Sequence, residues 1–249
     1  MKQVSAYLYR LWEQGQRHLA AGRYVAARTL LERAADSAWR GREARALARI
    51  YLPLLEARRL IRYQAAEGKI VIAESALGAG RVLREFTQAT AGTFLVCDNT
   101  PRGVGLAQGV HAAGRRTGRC LEALVVLGHG DHTRLASPRN PTFAGGVSVL
   151  WTRDPSAAIA NSTDPGLVLP LPPPGAYDGG TCGLGALARE SVLIAWEALA
   201  LRWQSRHPLA RGAGPWEELL WLREALEIDP ACEPITLRLI GLAEGVARR

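Results

Sequence analysis

Five short apolar runs rich in β-branched residues are confined to the middle of the chain: KIVIAES (Lys69 to Ser75), TFLVCDN (Thr93 to Asn99), EALVVLGH (Glu122 to His129), GVSVLWT (Gly146 to Thr152) and GLVLPLP (Gly166 to Pro172). Such runs read as buried strands, because β-branched side chains suit a pleated surface covered on both faces. Helical patterns, AGRVLREFTQATA and GLAQGVHAAGRR, separate the first three. Strands alternating with helices in this way imply right-handed crossovers. The expected fold class is therefore α/β, a mostly parallel open sheet of about five strands with helices on its faces, flanked by N- and C-terminal α-helical segments. The expected domains are 1–67, helical; 68–176, the open sheet; and 182–249, helical and packing with 1–67. A short helix-like DPSAAIANS joins the last two runs, and the proline-stiffened LPPPGAYDGG ends the sheet.

The flanks have another texture. Residues 1–67 are rich in Ala, Leu, Arg and Glu, which lose little on entering a helix, and Leu8, Leu11, Leu19, Ala27, Leu30, Leu31 and Ala34 recur at helical spacing. The segment LWEQGQRHLAAGRYVAARTLLERAAD resembles one tetratricopeptide repeat: Gly15 in a first helix, Gly22 and Tyr24 at the turn, then Ala27, Leu31 and Ala34 along a second. The resemblance implies two antiparallel helices in close approach, with Trp39 near the position of the usual proline. Next comes a long helical pattern containing Pro53, which predicts a kink or a new helix start. GPWEELLWLREALEIDP, Gly214 to Pro230, resembles the second helix of another such repeat with its terminal Asp-Pro, and EPITLRLIGLAEGVA follows it. LARESVLIAWEALALRW is apolar nearly all round and is expected to be buried on both sides. Six of the seven tryptophans lie in these helical regions, where core packing between distant helices is the expected role.

Composition removes several classes. At 249 residues, 48% of them apolar, the chain has ample material for a core. The longest apolar candidate for a membrane span, SVLIAWEALAL, is too short and carries Glu197, so no membrane partner is expected. The N-terminus lacks an uninterrupted apolar stretch, and a cytoplasmic location is expected. Cys97, Cys120, Cys182 and Cys232 are too widely spaced for a zinc knuckle or a redox pair, so reduced thiols are expected. The net charge of +8 rests on 31 basic residues, all arginine except Lys2 and Lys69. Its excess is N-terminal, and a basic helical face attracts phosphates or acidic partners. No aromatic-interleaved groove or nucleic-acid motif accompanies it, so a solvated helix face is the preferred reading and nucleic acid the disfavoured partner.

In an open parallel sheet, ligands sit beyond the carboxyl ends of the strands. There the sequence places Glu74, Asp98, Asn99, His129, Asp131, His132, Arg153 and Asp154, with Arg102 following in CDNTPRGVG. Asp98, His129, Asp131 and His132 are the candidate catalytic acid, base or ligand groups. Glu74, Asn99, Arg102, Arg153 and Asp154 are the candidate ligand-binding groups, Arg102 or Arg153 facing an anion. GHGDH resembles the metallo-β-lactamase-type zinc motif, His-x-His-x-Asp-His after a strand. His129, Asp131 and His132 fit its later positions, but Leu127 replaces the first histidine and only His207 follows, so no metal is expected. The Gly-x-Gly of IVIAESALGAGRVLREF, with Asp98 ending the next run, resembles the dinucleotide-binding fingerprint. Leu83 replaces its third glycine, and Glu74 stands where the first would fall. CDNTPRGVG is similar to the ribose-phosphate loop of phosphoribosyltransferases, without its threonines. Walker, nucleophile-elbow and Cys-His patterns are absent, so the cofactor is unknown and covalent catalysis has no candidate.

The repeat resemblance and the basic N-terminal face together predict a protein-interaction or scaffold protein with tetratricopeptide-like helices around an α/β domain of unknown activity. Its partner is another protein, or a second copy by self-association. The alternative is a small-molecule (nucleotide, phosphate or metal) binding α/β enzyme with its site at the carboxyl ends of the strands.

Overall fold

The structure, a computed structural model, describes residues 2–74, 90–97, 101–127, 133–136, 147–151, 167–169, 181–182, 193, 196, 199–201 and 203–248. In chain order its elements are α1 (Lys2–Ala20), α2 (Tyr24–Gly41), α3 (Ala44–Glu67), β1 (Lys69–Glu74), β2 (Ala91–Cys97), α4 (Pro101–Thr117), β3 (Cys120–Leu127), β4 (Thr133–Ala136), β5 (Val147–Trp151), β6 (Leu167–Leu169), β7 (Thr181–Cys182), α5 (Pro215–Ile228) and α6 (Glu233–Ala247). They fall into two units. A helical unit takes Met1–Ile61 with His207–Arg249, and a sheet unit takes Arg62–Arg206. The corresponding boundaries expected from the sequence are residues 67 and 182.

In the helical unit, α1 and α2 pack as a hairpin whose turn closes through Gly22, in the left-handed region at φ +69. The amides of Gly22 and Arg23 donate to the carbonyls of Leu19 and His18 at 3.0 and 2.9 Å, so the last carbonyls of α1 keep their partners. Gly15 lets the two helices meet: a Cβ there would stand 2.6 Å from Cγ of Leu31, which is fully buried. The same closure ends α2, with Arg42 at φ 51 and the Glu43 amide donating to Ala38. α3 runs through Pro53 without interruption, where the sequence predicts a kink or a new start. Pro53 has no amide hydrogen for the Arg49 carbonyl, and Arg49 and Leu52 are exposed there, so water can serve that carbonyl instead.

The two chain segments of this unit are joined by side chains. Trp39 of α2 donates from Nε1 to the Tyr51 hydroxyl of α3 at 2.9 Å and meets Trp216 of α5 edge to face, centroids 6.3 Å apart. Arg223 of α5 lies over the Trp39 ring and 3.6 Å from Asp36. Arg58 of α3 donates to Glu32 of α2 and to the Pro230 carbonyl after α5, both at 3.1 Å. Arg59 pairs with Glu233 at the start of α6. α5 thus packs on α2 and α6 meets α3, with Leu219, Leu222, Leu226, Ile235 and Leu239 buried beneath them.

In the sheet unit, each of the five apolar runs contains a strand, but the expected α/β fold on a mostly parallel sheet of about five strands is corrected. The described residues are mostly helical, and the sheet is mixed. Among the described residues seven strands follow the order β6-β5-β4-β3-β2-β1-β7. The pairs β1–β2, β2–β3 and β5–β6 are parallel, whereas β3–β4, β4–β5 and β1–β7 are antiparallel. Chain length explains the reversal after β3. Only residues 128–132 separate β3 from β4, and a parallel partner needs a crossover of about a dozen residues or more. α4, between β2 and β3, has enough length and buries Ala107, Val110 and Ala113 against Phe94, Val96 and Leu121. Among the helical residues before Arg206, Trp196, Leu199, Ala200 and Trp203 are buried while Leu201 is 41% exposed, so that segment is not buried all round.

Candidate functional site

The parallel strands β1, β2 and β3 end at one edge of the sheet: Glu74 is the register partner of Cys97, and Val96 that of Val125. β5 runs in the same sense, since two antiparallel pairings separate it from β3. Of the residues the sequence assigns to this edge, Glu74 is the last of β1, and Arg102 is the second residue of α4, with its side chain exposed. Asp98, Asn99, His129, Asp131, His132, Arg153 and Asp154 lie outside the described residues. No group of His, Cys, Asp and Glu suited to a metal ion occurs among the described residues. Cys120 and Cys232 are buried and in no disulfide.

A polar cluster that the sequence did not announce lies where α4 packs on β3. His111 of α4 brings Nε2 to 3.3 Å from both the amide nitrogen and the carbonyl oxygen of Ala123. As a neutral ring accepting at Nε2, His111 receives the Ala123 N–H; protonated there, it donates to the carbonyl. Its Nδ1 is 4.0 Å from the carboxylate of buried Glu122. Its ring packs edge to face on Trp196, and the guanidinium of buried Arg62 stacks 4.5 Å from the Trp196 ring centre. Cys120 Sγ donates to Gln64 Oε1 at 2.9 Å. A lone histidine in GLAQGVHAAGRR carries no sign of this, because the contact depends on how α4 packs on β3.

The surface of the helical unit holds a second set of groups. On α3, Arg45, Arg49 and Leu52 form one exposed stripe, Leu52 being 56% exposed. On α5, Leu220, Glu224 and Glu227 form another, Leu220 being 46% exposed. α1 exposes Tyr7, whose hydroxyl accepts from Arg33, and α6 exposes Leu237. Beside Leu237, Arg238 pairs with Glu218 and lies over the Trp221 ring, whose Nε1 donates to the His207 carbonyl. Trp39, Trp196 and Trp203 are buried and Trp12, Trp216 and Trp221 half-buried; Trp39 and Trp216 pack between α2 and α5. No family model, curated protein or solved structure matches the chain. No helix among the described residues is long and apolar enough to cross a membrane.

Proposed function

We propose that this chain is a protein-interaction or scaffold protein and that its helical unit is the binding part. The observation that carries the reading is the exposure of a large apolar side chain on each of α1, α3, α5 and α6: Tyr7, Leu52, Leu220 and Leu237. Single exposed leucines are ordinary on a protein surface. Here Leu52 and Leu220 each continue a stripe of charged side chains, the apolar-and-charged mixture that a protein partner covers. The tetratricopeptide resemblance supports the same reading. That resemblance rests on Gly15, Gly22, Ala27, Leu31 and Ala34 in the first segment and on Gly214 to Pro230 in the second.

The test compares the full chain with a Leu52→Asp/Leu220→Asp/Leu237→Asp variant in size-exclusion chromatography and in capture from native extract. The wild type is expected to retain a second copy or another protein saturably, and the variant to lose it. Identical elution as monomers together with identical retained proteins would overturn the reading.

A further inference from the structure

The two exposed stripes of the helical unit complement each other, and we infer that α3 of one copy docks antiparallel on α5 of a second copy of this chain. This assignment rests on reading the helical unit as a binding unit and names its occupant. Arg45, Arg49 and Leu52 stand at positions i, i+4 and i+7 of α3, and Leu220, Glu224 and Glu227 at i, i+4 and i+7 of α5. Each stripe therefore spans about 10 Å of helix. Set antiparallel with the leucines together, Arg49 falls beside Glu224 and Arg45 beside Glu227. Glu56 and Glu217, one turn past the leucines, end the complementary stretch. A parallel setting would put each leucine against a charge, so orientation follows from the pattern.

Within one chain neither stripe covers the other, since both are exposed. Arg45, Arg49 and Glu224 make no ion pair among the described residues, and their charges are available to a partner. Each copy carries both stripes, so a two-fold arrangement can make the contact twice, which is the usual form of a closed dimer. Facing arginines and glutamates fix register and suppress wrong partners more than they add affinity.

The experiment is sedimentation velocity on the full chain across a concentration series, with charge reversals on either stripe. Arg45→Glu/Arg49→Glu sets acid against acid, and Glu224→Arg/Glu227→Arg sets base against base. Each variant alone is expected to dissociate at a concentration about tenfold or more above that of the wild type, with unchanged far-UV circular dichroism because the substituted residues are exposed. An equimolar mixture of the two variants restores both contacts, one native and one inverted, and is expected to associate as the wild type does. A wild-type chain monomeric at every concentration, or an assembly that both reversals leave intact, overturns the inference. So does failure of the mixture to recover. If the wild type is monomeric while the leucine variant loses another captured protein, self-docking is wrong and the binding reading stands; loss of both removes the reading as well.

Discussion

Replacing Gly15 by alanine tests the close approach of α1 and α2. The added methyl would lie 2.6 Å from Cγ and 2.8 Å from Cδ2 of Leu31, a side chain with no exposure into which to move. Overpacking of a closed site costs about 1–3 kcal/mol. Alanine gains about 1 kcal/mol over glycine in a helix interior, so the net loss is about 1 kcal/mol. Leu31→Ala alone leaves a cavity and costs about 2–5 kcal/mol. In that background the methyl added at position 15 enters vacated space and the helix gain is recovered, so Gly15→Ala becomes stabilising by about 1 kcal/mol. The prediction is thus a change of sign, with a coupling of about 2 kcal/mol between positions 15 and 31. Urea unfolding of the wild type, both single variants and the double variant measures it, with equal slopes as the check that the denatured state is unchanged. A Gly15→Ala chain more stable than wild type in both backgrounds would refute the packing argument.

Three further outcomes follow from the same contacts. Burial above all holds the Tyr51 hydroxyl above the ordinary tyrosine pKa, while Arg58, the Trp39 hydrogen bond and Arg223 pull it back. Folding therefore favours the neutral phenol, and that stability is complete below the free tyrosine value of about 10 and lost as pH rises through the folded value. Tyr51→Phe is expected to flatten the alkaline loss in urea titrations above pH 10 and to cost about 1 kcal/mol at neutral pH, because the Trp39 N–H loses its acceptor. Arg58→Met removes the donor to Glu32 and to the Pro230 carbonyl, and thermal unfolding should report a loss of about 2 kcal/mol, since Arg58 is 13% exposed and screening is partial. Gly68→Ala would place a Cβ 2.4 Å from the Ala91 carbonyl oxygen, a backbone atom that yields only with β2, and a loss of about 2 kcal/mol or more is expected from hydrogen exchange of the β1–β2 amides.

The sequence told most where the structure depends on neighbours along the chain. Gly15, Gly22 and Ala27 already carried the α1–α2 hairpin, because close approach and a positive φ demand small residues at fixed places. The strand-forming runs were likewise legible from β-branched composition. Strand direction was not, since an apolar run reads the same either way; only the short spacer 128–132 before β4 held the signal, in its length and not in its chemistry. β4 itself, TRLA, has no run of β-branched residues to announce it. The described candidate groups were illegible for a similar reason. His111 reaches Ala123 only through the packing of α4 on β3, and the stripes of α3 and α5 look like any solvated helix face until exposure is known.

The helical unit is assembled from two segments with Arg62–Arg206 between them, and the balance of terms identifies what closes it. Were that insert a flexible loop, joining α3 to α5 would cost about 3 kcal/mol more than a connection of a few residues, because closure entropy rises only with the logarithm of length. A structured insert costs less. The ion pairs bridging the segments, Arg223 with Asp36 and Arg59 with Glu233, are partly exposed and contribute at most about 1 kcal/mol each. Burying Leu219, Leu222, Leu226, Ile235 and Leu239 contributes about 1.5–3 kcal/mol apiece, which exceeds both terms. Apolar burial by α5 and α6 therefore holds the segments together, and the arginines set where they meet. Residues 1–61 alone would leave Trp39 without Trp216 and Arg223, and Arg58 without the Pro230 carbonyl, so the hairpin α1–α2 is a part of this unit and not a domain by itself.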